Sequence, residues 1–253
     1  EAGFHGFVAV DAGGGGGWYH NYTGAEFRSD GDVPAHAYDQ VPDGSFSAVL
    51  LTQGTEQLQQ VAADGPLMLA HAGPELTTCG GALTHEAVVN TYSDDLSDVL
   101  TLQDHIVWLE GRDQPQLAQS LVRWDRSADR LTTMFNLSDH FDVVKDRGAM
   151  SDDDWTFQCK DLDGDTVTAE DWLHTNSVVA TAKGEYLVSL RSLSALVAIS
   201  EVGGVRWTLS SEVRSDFAFV NDGQKFYNQH HATYRAETGH IMLVDNGASR
   251  GSA

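Results

Sequence analysis

The sequence predicts an all-β chain that folds as a β-propeller, in which four-stranded sheets, or blades, surround a central axis. Two observations predict this fold. Apolar runs are short and bounded by Gly, Asp, Asn and Ser, and two types of hairpin alternate along the 253 residues. Long stretches of helical periodicity are absent, with the segment 114–121 as the one candidate exception. A β-sandwich is the second interpretation, but it does not explain the alternation.

The first hairpin type is an apolar strand, a turn and a second strand. It begins four times, at Phe7, Leu58, Leu121 and Leu196. In the copies that begin at Phe7 and Leu196, a tryptophan follows eleven residues later, at Trp18 and Trp207. A pattern that recurs at intervals of about fifty to seventy residues indicates a repeat architecture.

The second hairpin type lies between these copies, in the segments 35–50, 84–102, 174–190 and 230–246. Its alternation with the first type gives three whole four-stranded units and a half unit at each end, within a single predicted domain over 1–253. Either the two halves pair to close a small ring, or the chain is a partial propeller from a larger one.

The composition excludes two classes of partner. Fifteen Lys and Arg residues against thirty-seven Asp and Glu residues give a formal net charge of −22. Such a surface repels nucleic acid and anionic lipid. The sequence holds no apolar run long enough for a membrane-spanning helix, so we expect no membrane insertion.

The cellular compartment is predicted from weaker signals. The chain begins at Glu1, as a processed or excerpted segment would, and carries glycosylation sequons at Asn21 and Asn136. We expect an extracellular or periplasmic protein. The two cysteines, Cys79 and Cys159, either pair in one disulfide or remain buried thiols.

A histidine opens the second hairpin type in each copy, at His36, His85, His174 and His230. Equivalent positions of successive blades face the same axis, so we expect these imidazoles to converge at one end of the channel. Clustered imidazoles serve general acid–base catalysis, nucleophilic catalysis or metal binding. The alternative is that they are packing or turn residues inherited with the repeat.

Several ordered motifs resemble the bacterial and fungal arylsulfotransferases that work without a nucleotide sulfate donor. The similar segments are 171–177, 186–191, 214–217, 229–230 and 245–250, together with Thr84-His85-Glu86 and Leu137-Ser138-Asp139-His140. The resemblance is strongest from about residue 171 to residue 250.

The resemblance implies a six-bladed propeller that moves a sulfuryl group from an aryl sulfate ester to a phenol by a ping-pong route. It implies that His230 is the nucleophile and carries the sulfuryl group as a sulfohistidine. His85 and His174 would act as acid–base or oxyanion-binding groups, and Asn176 and Arg191 would bind sulfate oxygens. It implies no metal and no nucleotide cofactor.

The sequence is also compatible with two other functions. One is a non-catalytic extracellular propeller that serves as a binding or structural module and keeps the ancestral histidines. The other is a metal site formed by the repeated histidines. Self-association or a larger assembly is compatible with all of these functions.

Overall fold

The computed structural model describes the strands between residues 6 and 107 and most of the chain from 108 to 247. The described ranges are 6–10, 16–21, 35–40, 46–52, 55–61, 67–71, 80–90 and 98–247, the last without 111, 126, 143–144, 147–155, 161–162, 164 and 182–183. Side chains are described from residue 99 onward, other than those of 157–160.

Three sheets contain the predicted four-stranded units, and the strands within each unit pair antiparallel. With strands numbered along the whole chain, the first consists of β3 (Ala35–Gln40), β4 (Phe46–Thr52), β5 (Thr55–Val61) and β6 (Leu67–His71). The second contains β7 (Gly80–Asn90), β8 (Asp98–Val107), β9 (Gln116–Asp125) and β10 (Arg130–Asn136). The third consists of β13 (Thr175–Ala180), β14 (Glu185–Leu190), β15 (Ala195–Ser200) and β16 (Val205–Ser210).

The two half units form separate two-stranded sheets. They are β1 (Gly6–Val10) with β2 (Gly16–Asn21), and β17 (His230–Arg235) with β18 (His240–Val244). The sequence predicts this order: three units of two hairpins each, with one further hairpin before the first unit and one after the last. The segment 114–121 is not helical, because β9 begins at Gln116.

The two tryptophan-bearing hairpins have the same register. Ala9 lies opposite Trp18 and Ala198 lies opposite Trp207, and in each case the register shifts at the next residue of the first strand. The repeat found in the sequence is therefore a repeat of backbone pairing as well.

The second sheet also carries a hairpin that the sequence pattern did not reveal. Strands β11 (Thr156–Lys160) and β12 (Thr166–Glu170) pair with each other, and β12 meets β9 in parallel at Glu170 and Gln116. This insertion leads directly into the start of β13.

The sheets pack face to face, which is the packing that a propeller requires. All six residues of β15 are buried, so both faces of the third sheet are covered. Ala195, Val197 and Ile199 pack in a core with Leu100 and Leu102 of the second sheet. On the opposite face, Leu196 packs with Phe226 and Ala232 beside the hairpin β17–β18.

The first strands of the successive units, β3, β7, β13 and β17, are neighbours in this order. Each of them opens one sheet or hairpin, so these four strands line the inner side of the arrangement. The fold is therefore a β-propeller with three four-stranded blades and two half units in the described residues.

Candidate active site

His174 and Arg191 lie opposite each other in the third sheet, at the end where β13 begins and β14 finishes. His174 immediately precedes β13 and Arg191 immediately follows β14, and these two strands are antiparallel. The main-chain N–H of Arg191 donates to the carbonyl oxygen of His174 at 3.1 Å. Both residues are buried. The pairing of β13 with β14 thus brings a histidine and an arginine to the same end of the sheet.

Asp171 holds His174 at two points. The main-chain N–H of His174 donates to Oδ1 of Asp171 at 3.0 Å, and Nδ1 of the imidazole lies 2.7 Å from Oδ2. His174 has a φ of 48°, in the left-handed region that costs a residue with a Cβ atom about 1–2 kcal/mol. The surrounding contacts impose this conformation, and such local strain is common at functional sites.

Asn176 is the extra residue of a β-bulge in β13, since Thr175 pairs with Leu190 while Ser177 pairs with Ser189. Its side chain is 1% exposed. Its Nδ2 donates to the carbonyl oxygen of Gln229 at 2.7 Å. The amide that the resemblance assigns to sulfate binding therefore also contacts the residue that precedes His230.

His230 is the first residue of β17 and is partly buried, whereas the adjacent His231 is exposed. The register of β17 against β18 shifts between His230 and Thr233, so this strand also carries a bulge near its start. The structure places His174, Asn176 and His230 at the starts of two neighbouring inner strands, β13 and β17. Arg191 lies beside His174, at the end of β14.

A bulge near the histidine is common to all four inner strands. His36 is itself the extra residue between Ala35 and Ala37 of β3, and His85 lies in the irregular stretch of β7 between Leu83 and Val88. Strand β7 is the inner neighbour of β13. The side chains of His36 and His85 lie outside the described residues, so the position of the His85 imidazole remains a prediction.

Gln119 connects this edge to the second blade. Its Oε1 accepts the N–H of Thr175 at 2.9 Å, and its Nε2 donates to Oδ1 of Asp104 at 2.7 Å. Gln119 is buried. The start of β13 is therefore fixed by the neighbouring blade as well as by its own sheet.

A cavity of about 460 Å³ opens among the loops that end β8 and β10. Trp172 and Phe141 supply its aromatic lining, and Glu110, Asp139, His140 and Asp142 supply polar groups. Burial lowers the pKa of His140, and repulsion from Arg214 lowers it further, against the opposing attraction of nearby aspartates. Trp172 belongs to the same short segment as Asp171 and His174.

Two of the motifs behind the resemblance stabilise loops. Oδ2 of Asp216 accepts the N–H of Thr208 at 2.8 Å. Oδ1 of Asp245 accepts the N–H groups of Tyr227 and Gly247, each at 2.9 Å. Residues 248–250 lie outside the described part of the chain.

Sequence reasoning assigned no role to Asp171, Gln119 or Gln229, although all three are buried polar residues beside the candidate side chains. Asp171 carries a local signal, because it lies three residues before His174. Gln119 carries none, since its partners Asp104 and Thr175 are distant in the chain.

Two further findings concern the described part of the chain alone. Its His, Cys, Asp and Glu side chains form no group of three or more that could hold a metal ion. None of its helices is both long enough and apolar enough to cross a membrane.

Comparison with solved structures extends over nearly the whole chain at very low identity. A protein of unknown function from Bacteroides caccae matches with a TM-score of 0.53 and 9% identity, over 97% of this chain and 63% of that one. Virginiamycin B lyase from Staphylococcus aureus matches with a TM-score of 0.36 and 10% identity, over 84% and 63%. A streptogramin B lyase structure matches with a TM-score of 0.39 and 8% identity, over 86% and 64%.

The chain thus spans less than two thirds of the length of each of these structures. No curated protein matches it significantly. The family model for arylsulfotransferase (ASST) matches residues 121–250, just over half of the chain. This region contains His174, Asn176, Arg191 and His230. The chain belongs to the arylsulfotransferase family.

Proposed function

We propose that this protein transfers a sulfuryl group from an aryl sulfate ester to a phenolic acceptor through a covalent sulfohistidine at His230. One observation carries the proposal: hydrogen bonds connect Arg191 to His174, and Asn176 to Gln229, the residue before His230. The match of the arylsulfotransferase family model to this region supports the same chemistry.

In the first half-reaction, a ring nitrogen of His230 attacks the sulfur atom of the donor. The new N–S bond forms as the S–O bond to the aryl group breaks, and the phenolate leaves with a proton from an acid group. A neutral imidazole is a competent nucleophile near neutral pH. His230 is partly buried, which leaves it accessible to a substrate.

In the second half-reaction, the oxygen of the acceptor phenol attacks the same sulfur. The N–S bond breaks, the new aryl sulfate leaves, and the proton of the phenol passes to the base that donated earlier. Both half-reactions use the same groups in opposite directions, which is the basis of ping-pong kinetics.

His174 is our candidate for the acid–base group. Its Nδ1 lies 2.7 Å from a carboxylate oxygen of Asp171, so we propose that Nε2 is the nitrogen that exchanges protons with substrate. His85 is proposed to share this acid–base work from the neighbouring strand.

Arg191 and Asn176 are proposed to bind the sulfuryl oxygens. Sulfuryl transfer depends mainly on positioning and on donors directed at the oxygens that carry charge in the transition state. A guanidinium offers a planar fork of donors for such oxygens. Arg191 is 8% exposed, so solvent screens its charge less than that of a surface arginine.

Arg191 also offsets the overall charge. The net charge of −22 repels an anionic ester at long range, and a local cation at the site is needed to bind it. We propose that the active protein works in an extracellular or periplasmic space, where such esters enter without crossing into the cytoplasm.

The test is a transfer assay with an aryl sulfate donor and a phenol acceptor. We expect donor phenol to be released in an acceptor-dependent way by the wild type, and release to fall to the background rate in His230→Ala. His231→Ala is the matched control, because it removes the adjacent exposed imidazole and should retain activity. If His230→Ala keeps the activity of the wild type, as His231→Ala should, the sulfohistidine route is excluded.

A second outcome points to a different function. If the folded wild type transfers no sulfuryl group from any of a panel of aryl sulfates, the protein is better explained as a binding or structural propeller. The near-complete burial of His174 and Asn176, 4% and 1% exposed, is the observation that favours this alternative.

A further inference from the structure

We infer that Gln229 is a positioning residue that sets the location of His230 from the third blade, an inference that rests on the proposed function of His230. Gln229 immediately precedes His230 and is 0% exposed. Its side chain is buried because it reaches across to strands β14 and β15 of the third blade.

The Gln229 amide contacts three acceptors at the end of the hairpin β14–β15. Its Nε2 lies 2.9 Å from Oγ of Ser189, 2.9 Å from the carbonyl oxygen of Ala195 and 3.2 Å from that of Leu190. An amide nitrogen has two protons, so these are shared among the three acceptors. Such a buried, multiply bonded amide fixes the backbone to which it belongs.

The main chain of Gln229 is held from a second direction. Its carbonyl oxygen accepts Nδ2 of Asn176 at 2.7 Å. One residue earlier, the N–H of Asn228 donates to Oγ of Ser194 at 3.1 Å, and Asn228 has a φ of 51°. The segment before His230 is therefore anchored on β13 and on the turn between β14 and β15.

This anchoring matters for catalysis because β17 is held on the third blade at two points. One is Ala232, whose N–H donates to Oγ of Ser177 at 3.0 Å, and the other is Gln229, directly before His230. Strand β17 pairs with β18 alone among the described strands, and its register is irregular directly after His230. Because the Gln229 contacts adjoin His230 and involve Leu190, the neighbour of Arg191, we infer that they set the location of the nucleophile relative to Arg191. Misplacement of a reacting group by about 1 Å lowers a rate by about 100-fold.

The proposal is tested with Gln229→Met, which keeps the length of the side chain and removes its donors. Gln116→Met is the matched control. Gln116 is a second buried glutamine, whose Nε2 donates to the carbonyl oxygens of Gln114 and Pro115 just before β9 in the second blade, each at 3.4 Å. We expect the capture of a sulfuryl group, measured as the single-turnover release of donor phenol, to fall about 100-fold in Gln229→Met. The donor concentration for half-maximal rate should stay unchanged.

A second readout does not depend on catalysis. We expect amide hydrogen exchange in the peptide 228–233 to accelerate in Gln229→Met and to stay unchanged in Gln116→Met. Faster exchange with slower capture supports the inference. Unchanged exchange, or faster exchange with normal capture, overturns it.

Two controls keep the result interpretable. If Gln229→Met does not fold, Ser189→Ala replaces it, because this variant removes one of the three acceptors and leaves the other two. A lower capture rate in Ser189→Ala supports the inference and an unchanged rate overturns it. If the wild type itself captures no sulfuryl group, the proposed function fails, while hydrogen exchange still decides whether Gln229 fixes the segment that carries His230.

Discussion

The third blade and the hairpin β17–β18 hold their histidines in different ways. In the blade, strands β14 and β15 are buried almost throughout, and His174 is fixed by Asp171 from its own connecting segment. In the hairpin, β18 alternates between exposed and partly buried residues, and His230 is fixed through Gln229 by contacts with the blade. The comparison indicates that His230, the proposed nucleophile, is positioned by a neighbouring sheet as well as by its own.

The largest expected effect concerns the local fixation of His174. Asp171→Asn keeps an oxygen that accepts the N–H of His174 but places an amide donor beside Nδ1, so the imidazole adopts the other tautomer. We expect kcat for sulfuryl transfer to fall by about 100-fold or more, the range of general acid–base contributions. The check is steady-state kinetics beside a denaturation curve. Full activity in Asp171→Asn would remove His174 from the acid–base role.

Because β15 is buried and β18 is largely exposed, we expect truncation of a side chain on β15 to lower the free energy of unfolding more than truncation on β18. Leu196→Ala removes a side chain that is 1% exposed, and we expect it to lower the free energy of unfolding by about 2–5 kcal/mol. Met242→Ala, on β18, removes a side chain that is 45% exposed and should cost less than about 0.5 kcal/mol. Urea denaturation measures both. Similar losses in the two variants would mean that the hairpin is covered in solution.

The turns of the two regions offer a matched pair of glycines. Gly203 has a φ of 77°, and a Cβ atom there would lie 2.7 Å from the carbonyl oxygen of Met134. Gly239 has a φ of 71°, but its Cβ atom would come no closer than 3.9 Å to Tyr234. We expect Gly239→Ala to cost about 1–2 kcal/mol from left-handed strain alone, and Gly203→Ala to cost more. Thermal unfolding of both variants tests this order, and the reverse order would contradict the described packing between blades.

The smallest expected effect is a pH dependence. Burial lowers the pKa of His105 from 6.5, against the opposing attraction of Asp139. Because the unfolded state binds the proton more readily, this histidine contributes stability above about pH 6.5 that is lost as the pH falls. We expect His105→Gln to flatten the decline of the melting temperature between about pH 7 and pH 5. A decline of the same slope in both proteins would exclude His105 as its source.

The hairpins could be predicted from the sequence because each one is a local pattern. Phe7 and Leu196 each open an apolar strand that pairs thirteen residues on, with His20 and Leu209, so two distant segments show the same spacing. The insertion β11–β12 was missed because it has no counterpart among the described strands of the other units. The bulges at His36 and Asn176 were missed because alternation of apolar residues does not show an extra residue.

The candidate site was predicted in part. The edge that carries His174, Asn176, Arg191 and His230 follows from the repeat and from the resemblance. The contacts that fix these residues do not, because Gln229 meets Ser189 across forty positions and Asn176 meets Gln229 across fifty-three. Contacts between blades leave no periodic signal in the sequence.

The most direct test of the account is to identify the residue that carries the sulfuryl group. Wild-type protein is mixed with an aryl sulfate in the absence of acceptor, and its peptides are analysed by mass spectrometry. We expect the mass of one added SO₃ group on His230, and loss of this group when a phenol is added. An adduct on another residue, or none in a folded protein that releases donor phenol, would contradict it.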